Sequence, residues 1–293
     1  MLGWRLAISA LLIPGFIALC WIDHRLGDAA PVLFLLALLL GLRCAWEMVQ
    51  LLRPRFHEIR FAPCAIGVAA LVLSAWTPHW FQFGNRLQGA AGTIGTSFSL
   101  CVLGLMVFEA VRFRQAGARM ETLAAHVLTV AYPGLLLAVT AQLRWVAGGA
   151  HGYVVLGSLV IAAKLGDTSA YTFGRLFGKR KMAPALSPGK TWAGFAGALI
   201  GAGIGGWAWL QFASPWLADA PPPPWHWAAG YGVVVGFVGL VGDLCESLIK
   251  RDMGQKDAAP LMPGFGGVLD LLDSILFAGP VAYLLWLWLP LGG

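Results

Sequence analysis

The residues most able to do chemistry lie together near the carboxyl end of this sequence. Residues 247–274 read SLIKRDMGQKDAAPLMPGFGGVLDLLDS, where four Asp and three Lys or Arg interrupt an otherwise apolar chain. If the end of this stretch is helical, Asp270, Asp273 and Ser274 occupy positions i, i+3 and i+4 and share a narrow face. Carboxylate and hydroxyl oxygens on one face are ligands that suit hard cations.

A second polar face precedes this one, in the segment GLVGDLCESLIKRD at residues 239–252. At 100° per residue, four of its polar side chains fall within about 100° of one helix face. They are Asp243, Glu246, Ser247 and Lys250. Oxygen donors of this kind suit Mg²⁺ better than a soft metal.

Features that bind anions lie alongside these acids. The motif SPGKT, residues 187–191, places Lys190 at the start of an apolar run, where a helix N terminus also favours phosphate. The motif PGFGG, residues 263–267, precedes another run, and its glycines allow close backbone approach. The basic side chains of Lys250, Arg251 and Lys256 complete a cationic rim. Acids for a cation and cations for phosphates indicate metal-assisted chemistry on a nucleoside triphosphate.

The elements that must position these residues are membrane helices. Of the 293 residues, 58% are hydrophobic and only 12% are charged, and the mean hydropathy is +0.73. A soluble domain has about 25% charged residues. Apolar runs of about 17 to 23 residues, each long enough to cross a bilayer, predict an all-α, polytopic integral membrane protein with about nine transmembrane helices. The runs cover residues 6–22, 32–52, 61–77, 89–111, 123–143, 153–173, 192–213, 227–249 and 267–289.

Charge inside these runs needs a partner, because a charged side chain at a helix centre costs roughly 2.5–3.5 kcal/mol. We therefore expect the acids of the last two runs to face one another, a wet cavity or cations. Asp167 in the sixth run has an alternative interpretation, since a single acid in a membrane helix can form an ion pair with Lys164 and have no further function. Arg251 and Lys179 near run ends can likewise extend to the membrane surface without further function.

Basic residues predict the topology. With the N terminus inside, the amino-terminal segment and the even-numbered connections hold fifteen Lys and Arg, against three in the odd-numbered connections. This bias fits the positive-inside rule, and it explains the pI of about 9.3 without nucleic acid as a partner. The first run ends in WIDHRLGD and no small-x-small cleavage site follows it, so it is expected to be a retained signal-anchor helix.

Two further patterns are interpreted as membrane packing. The five Cys show no CxxC spacing, which argues against a disulfide framework or a zinc site. GAGIGG at residues 201–206 matches GxGxxG but lies inside an apolar run, so with GVVVG at 232–236 it predicts close helix packing. Before residue 150 the runs are nearly featureless, and after it polar residues enter the membrane segments themselves. We therefore divide one continuous membrane domain into scaffold helices, 1–150, and catalytic helices, 151–293.

Two blocks of the sequence resemble the phosphatidate cytidylyltransferases, also called CDP-diacylglycerol synthases. The blocks are DTSAYTFGRLFGKRKMAPALSPGKTWAG and GDLCESLIKRDMGQKDAAPLMPGFGGVLDLLDS. The signature of that family runs approximately S-x-x-K-R-x4-K-D-x5-P-G-H-G-G-x-x-D-R-x-D. The matching positions of the second block are Ser247, Lys250, Arg251, Lys256, Asp257, Pro263, Gly264, Gly266, Gly267, Asp270 and Asp273.

The resemblance implies transfer of CMP from CTP to a phosphatidate-like lipid phosphate, giving CDP-diacylglycerol and pyrophosphate at a bacterial inner membrane. It implies Mg²⁺, as one or two cations, on Asp243, Asp270 and Asp273 with help from Ser247. The implied catalytic set also contains Lys250, Arg251, Lys256 and Asp257. The implied substrate-binding residues are Asp167, Ser187, Lys190, Thr191, Gly264, Gly266 and Gly267.

Three departures from the family pattern make this a divergent member: Phe265 replaces a His, Leu271 an Arg and Ala193 a Glu. Two alternatives therefore stay open beside the cytidylyltransferase. One is a CTP-dependent lipid kinase, and the other is an inactive paralogue or an ion-coupled transporter. The sequence leaves the exact lipid and the oligomeric state open, with a homodimer among the options.

Overall fold

The computed structural model describes residues 2–81, 89–115, 117–259 and 266–292, with side chains from residue 14 onward. Most of this chain is helical, as the apolar runs predict. The α-helices are α1 (Leu2–Leu26), α2 (Pro31–Leu52), α3 (Phe61–Trp80), α4 (Gly89–Val111), α5 (Arg119–Val130), α6 (Leu136–Ala141), α7 (His151–Phe177), α8 (Trp192–Ala218), α9 (Trp225–Asp252) and α10 (Val268–Trp288).

Eight helical segments among the described residues are long and apolar enough to cross a membrane. They coincide with the second to ninth predicted runs, so the polytopic all-α class is confirmed. The first predicted run lies within α1 but is not among the eight, and the ninth span therefore stays a prediction. Helix α9 extends past residue 249, which places Lys250 and Arg251 on the helix itself.

The fifth predicted run is one continuous span with an irregular middle. It continues from α5 through a π-helical turn at Ala131–Leu135, then α6, then a 3-10 turn at Gln142–Arg144. Pro133 lies in the π turn. Proline has no backbone N–H, so the regular hydrogen bond of an α-helix cannot form at this residue, and this explains the local change of helical pitch.

A single hairpin interrupts the helices of the described chain. Strand β1 (Lys181–Ala183) pairs antiparallel with β2 (Ser187–Thr191), and Lys181 lies opposite Thr191. The motif SPGKT therefore forms a strand that leads directly into α8.

The chain divides into two compact units. The first comprises Met1–Val139 and Met253–Leu271, and the second comprises Thr140–Asp252 and Leu272–Gly293. In the first unit, the fully buried Trp76 donates its indole N–H to the carbonyl oxygen of Ala30 at 3.0 Å. A Cβ on Gly67 would lie 2.8 Å from Val130 Cγ2, so α3 and α5 approach closely. The functional division into scaffold and catalytic helices stays a prediction.

Small residues bring the helices of the second unit into near backbone contact. A Cβ built on Gly232 would lie 2.2 Å from the carbonyl oxygen of Ala202, and one on Gly206 would lie 2.9 Å from the Cα of Gly232. The predicted close packing of the two glycine-rich segments, now on α8 and α9, is thus confirmed. Without a side chain at these positions, the two backbones approach more closely than larger residues allow.

Candidate functional site

Asp243 and Lys190 form the central ion pair of the second unit. Lys190 Nζ lies 2.8 Å from Asp243 Oδ2, and the two side chains are 19% and 37% exposed. The other carboxylate oxygen accepts a long hydrogen bond from Ser247 Oγ at 3.5 Å. The lysine also reaches the carbonyl oxygen of Leu240 at 3.5 Å. Residues from the two sequence blocks therefore meet at one pair of charges.

A second set of contacts joins α7 to α10 through Ser274. Lys164 Nζ lies 3.2 Å from Asp167 Oδ2 and 3.3 Å from Ser274 Oγ. The serine hydroxyl in turn donates to Asp167 Oδ2 at 3.2 Å. The pairing of Asp167 with Lys164 that the sequence allowed is thus present, and it includes a hydroxyl from the second sequence block.

Asp273 links these two sets. It is 7% exposed, and its carboxylate accepts the backbone N–H of Ser274. It also interacts electrostatically with Asp243, Lys164 and Asp167. We call Lys164, Asp167, Lys190, Asp243, Asp273 and Ser274 the acid–lysine cluster.

The hairpin and the start of α8 position Lys190. The next residue, Thr191, is the N-cap of α8, and its Oγ1 accepts the backbone N–H of Gly194 at 3.1 Å. A Cβ on Gly178 would lie 2.6 Å from this same oxygen, so α7 can end against the cap only because residue 178 is glycine. The cap fixes the backbone that carries Lys190. Ser187, at the other end of β2, is half-buried.

The predicted phosphate-binding residues at the end of α9 differ in exposure. Lys250 is 8% exposed and pairs with the fully buried Glu246 at 2.9 Å, one helical turn earlier. Arg251 is exposed, and its Nε donates to the carbonyl oxygen of Leu186 at 3.2 Å. The guanidinium therefore connects α9 to the hairpin, while the ammonium of Lys250 is held inside the unit.

In the first unit, the carboxylate of Asp270 is held by backbone N–H groups. Its Oδ2 accepts from Gly267 at 2.7 Å and from Ala258 at 3.0 Å. Gly266 has a φ of 83°, and a Cβ there would lie 2.5 Å from the same oxygen. A glycine at this position thus gives the carboxylate the room that it occupies.

The remaining predicted residues lie around this turn or beyond the described chain. Lys256 and Asp257 are exposed in the segment that follows α9. Gly264, with the departure Phe265, lies outside the described residues. Leu271 follows Asp270 on α10, and Ala193 lies in the first turn of α8.

Sequence reasoning missed Glu47 of α2. Its side chain is 0% exposed, and its carboxylate accepts the backbone N–H groups of Val268 and Leu269 at 3.0 and 2.7 Å. The presence of Glu47 in an apolar run could have indicated a buried partner, because an unpaired ionisable residue in a membrane helix is energetically unfavourable. Arg43, four residues earlier on α2, lies 2.9 Å away as its partner.

The carboxylate and hydroxyl oxygens of the acid–lysine cluster are of the type that binds hard cations. Among the described residues, however, no group of three His, Cys, Asp or Glu side chains is arranged to hold a metal ion. Mg²⁺ is usually bound by one or two carboxylates, with substrate phosphates and water as its other ligands. Asp243 and Asp273 are carboxylates of this kind in the second unit, and the two interact electrostatically.

Comparison with known proteins identifies the family. The chain matches the Cytidylyltransferase family over residues 4–289. A phosphatidate cytidylyltransferase of Mycobacterium leprae is 31% identical over 258 residues, which cover 83% of this chain and 76% of the relative. Proteins with the same name from Haemophilus influenzae and Staphylococcus aureus are 30% and 31% identical. The aligned residues cover 74% and 87% of this chain, and 86% and 89% of the two relatives, respectively. This chain belongs to the cytidylyltransferase family.

Proposed function

We propose that this protein transfers CMP from CTP to a lipid phosphate such as phosphatidate, giving CDP-diacylglycerol and pyrophosphate. The observation that carries the proposal is the 2.8 Å contact between Lys190 and Asp243. It joins the two sequence blocks that resemble the family signature, within a chain that matches the family over residues 4–289. Relatives in three bacteria are named for this activity.

In the proposed reaction, a lipid phosphate oxygen attacks the α-phosphorus of CTP. The bond from that phosphorus to the oxygen bridging the α- and β-phosphates breaks, and pyrophosphate leaves with the electron pair. A phosphate monoester is largely ionised near neutral pH, since its second pKa is about 6. No protein base is therefore required, and the absence of the family's His at Phe265 leaves the reaction possible.

The charged side chains of this chain bind and orient the phosphates. Lys190 and Arg251 supply positive charge at the hairpin, whereas Lys250 on α9 is paired with Glu246, so its role toward phosphate rests on the resemblance to the family. Lys256 and Asp257 lie in the exposed segment after α9, where they can orient the nucleotide. Positioning together with charge stabilisation accounts for most of the catalysis in phosphoryl-transfer enzymes.

Mg²⁺ is the proposed cofactor. Asp243, Ser247 and Asp273 of the second unit would hold it, and the resemblance to the family assigns the role of a cation ligand to Asp270 of the first unit as well. When bound, it would neutralise developing charge on the triphosphate and on the leaving pyrophosphate. The acid–lysine cluster supports this assignment through its donors, because carboxylate and hydroxyl oxygens are the ligands that Mg²⁺ prefers.

The proposed setting is the bacterial inner membrane, with the N terminus in the cytoplasm. The fifteen-to-three distribution of Lys and Arg supports this orientation. It places the hairpin and the segment after α9 on the cytoplasmic side, where CTP is available. Attraction between basic residues and an anionic leaflet also favours an acidic lipid as acceptor.

The test uses purified protein, Mg²⁺, a panel of lipid phosphates and CTP labelled at either the α- or the γ-phosphorus. Label from the α-position in lipid supports the cytidylyltransferase. Label from the γ-position would instead show a CTP-dependent lipid kinase. If neither label enters any lipid, the proposal is wrong, and the inactive paralogue or transporter is favoured.

A further inference from the structure

The first turn of α10 is bound by a carboxylate from a distant part of the sequence. Glu47 Oε1 accepts the N–H of Val268 at 3.0 Å, and its Oε2 accepts the N–H of Leu269 at 2.7 Å. More than 220 residues separate the partners along the chain. All of these residues belong to the first unit.

The close fit requires glycine at the adjoining position. A Cβ on Gly267 would lie 2.3 Å from Glu47 Oε2, inside van der Waals contact. The side chain of Glu47 is fully buried, and Arg43 supplies the neutralising charge. Buried carboxylates require such partners, because an unpaired charge in this environment is strongly unfavourable.

Two protein carboxylates therefore accept hydrogen bonds from the backbone N–H groups of residues 267–269 at this end of α10. Glu47 accepts from residues 268 and 269, and Asp270 accepts from Gly267. The sequence motif PGFGG suggested that a substrate phosphate would occupy this N terminus. In the structure, an internal anion already has the favourable position beside the helix dipole.

We propose that Glu47 is a positioning residue, whose carboxylate fixes the turn of α10 that holds Asp270 in its working orientation. This inference rests on the proposed function, in which Asp270 is a cation ligand. Glu47 does not touch substrate. It acts through the backbone N–H groups that it orders, and the glycines at 266 and 267 provide space for Asp270 and Glu47.

Glu47→Ala removes both acceptors, and Glu47→Gln retains a single carbonyl oxygen. Since a hydrogen bond to a charged group contributes more than a neutral one, we expect kcat with α-labelled CTP to fall about ten- to a hundredfold in Glu47→Ala. Glu47→Gln should show a smaller loss. The KM for CTP should change little in both variants, because no contact to the nucleotide is removed.

Hydrogen–deuterium exchange gives a readout that does not depend on activity. Peptides that contain residues 267–270 should exchange at least about tenfold faster in Glu47→Ala and should be partly protected in Glu47→Gln. Glu109→Gln is the matched control. Glu109 is also a buried carboxylate of the first unit, paired with Arg112 at 3.1 Å and Arg119 at 3.3 Å, so it should lower stability without changing kcat or this exchange.

Three results would overturn the inference. The first is unchanged exchange at residues 267–270 in both Glu47 variants. The second is faster exchange with normal kcat, and the third is an equal loss of kcat in Glu109→Gln. If the natural protein makes no CDP-lipid while exchange responds as expected, the proposed function fails, and with it the assignment of a working orientation to Asp270.

Discussion

Replacing each member of the Lys190–Asp243 pair should have different consequences for stability and similar consequences for activity. Lys190→Met leaves the carboxylate of Asp243 without its 2.8 Å partner. It also leaves that carboxylate close to Asp273, with which it interacts electrostatically. Asp243→Asn removes the same ion pair but also removes one acid from the acid–lysine cluster.

The magnitudes follow from partial burial. Exposed pairs contribute about 0.2–1 kcal/mol, and removal of one partner from a buried pair costs about 3–5 kcal/mol. With side chains 19% and 37% exposed, Lys190→Met should lower the free energy of unfolding by about 1–2 kcal/mol. In Asp243→Asn, relief of repulsion offsets the lost attraction, so the net change should lie within about 1 kcal/mol of zero.

Thermal unfolding of the purified variants in detergent, without CTP, measures the change in stability. Each 1 kcal/mol corresponds to about 2–4 °C for a chain of roughly this size. Incorporation of α-labelled CMP into lipid measures the change in activity. Turnover should fall about a hundredfold or more in both variants, because stabilisation by the metal and by charge contributes several kcal/mol. An equal fall in unfolding temperature for both variants would refute the repulsion argument. Normal turnover in Asp243→Asn would refute its role as a cation ligand.

Three further predictions concern the other acids, helix packing and topology. Asp270→Asn and Asp273→Asn should each reduce turnover by orders of magnitude at every Mg²⁺ concentration while the protein stays folded, and near-normal activity in either would contradict the metal assignment. Gly232→Ala should destabilise the protein by about 1–3 kcal/mol, because its Cβ would lie 2.2 Å from the carbonyl oxygen of Ala202. Gly230→Ala, with no atom within 4 Å of the added Cβ, is its control, and equal unfolding temperatures would contradict the packing argument. A reporter fused to the C terminus and active only in the cytoplasm should be silent, and activity there would exclude nine spans with a cytoplasmic N terminus.

Most of the fold could be predicted because the bilayer restricts the solutions. An apolar run in lipid must satisfy its own backbone hydrogen bonds, so run length alone indicates a helix and its approximate ends. Helix ends at the polar surface are less constrained. Helix α9 continues to Asp252, three residues past the predicted end, because polar side chains there find partners in Glu246 and the hairpin.

The site was predictable where its residues share one element. Helical periodicity alone predicts that Asp243 and Ser247 share one helix face, and that Asp270 and Asp273 share another. The Lys190–Asp243 pair and the contact from Glu47 to Val268 do not, because they join residues that are far apart in sequence. Periodicity specifies which face of a helix is polar, but it does not specify which distant side chain lies against that face.

Charge balance explains how three aspartates can share one cluster among apolar helices. Asp167, Asp243 and Asp273 are accompanied by Lys164 and Lys190, so three carboxylates face two ammonium groups, a net charge of −1 when all are ionised. A divalent cation alone would raise that charge to +1. A triphosphate carries more negative charge than one divalent cation neutralises, so their complex is a net anion and would make the total charge at the cluster more negative. Uncompensated charge is costly in this low-dielectric setting, so binding of CTP with its cation requires positive charge from outside the cluster, such as that of the exposed Arg251 at the hairpin.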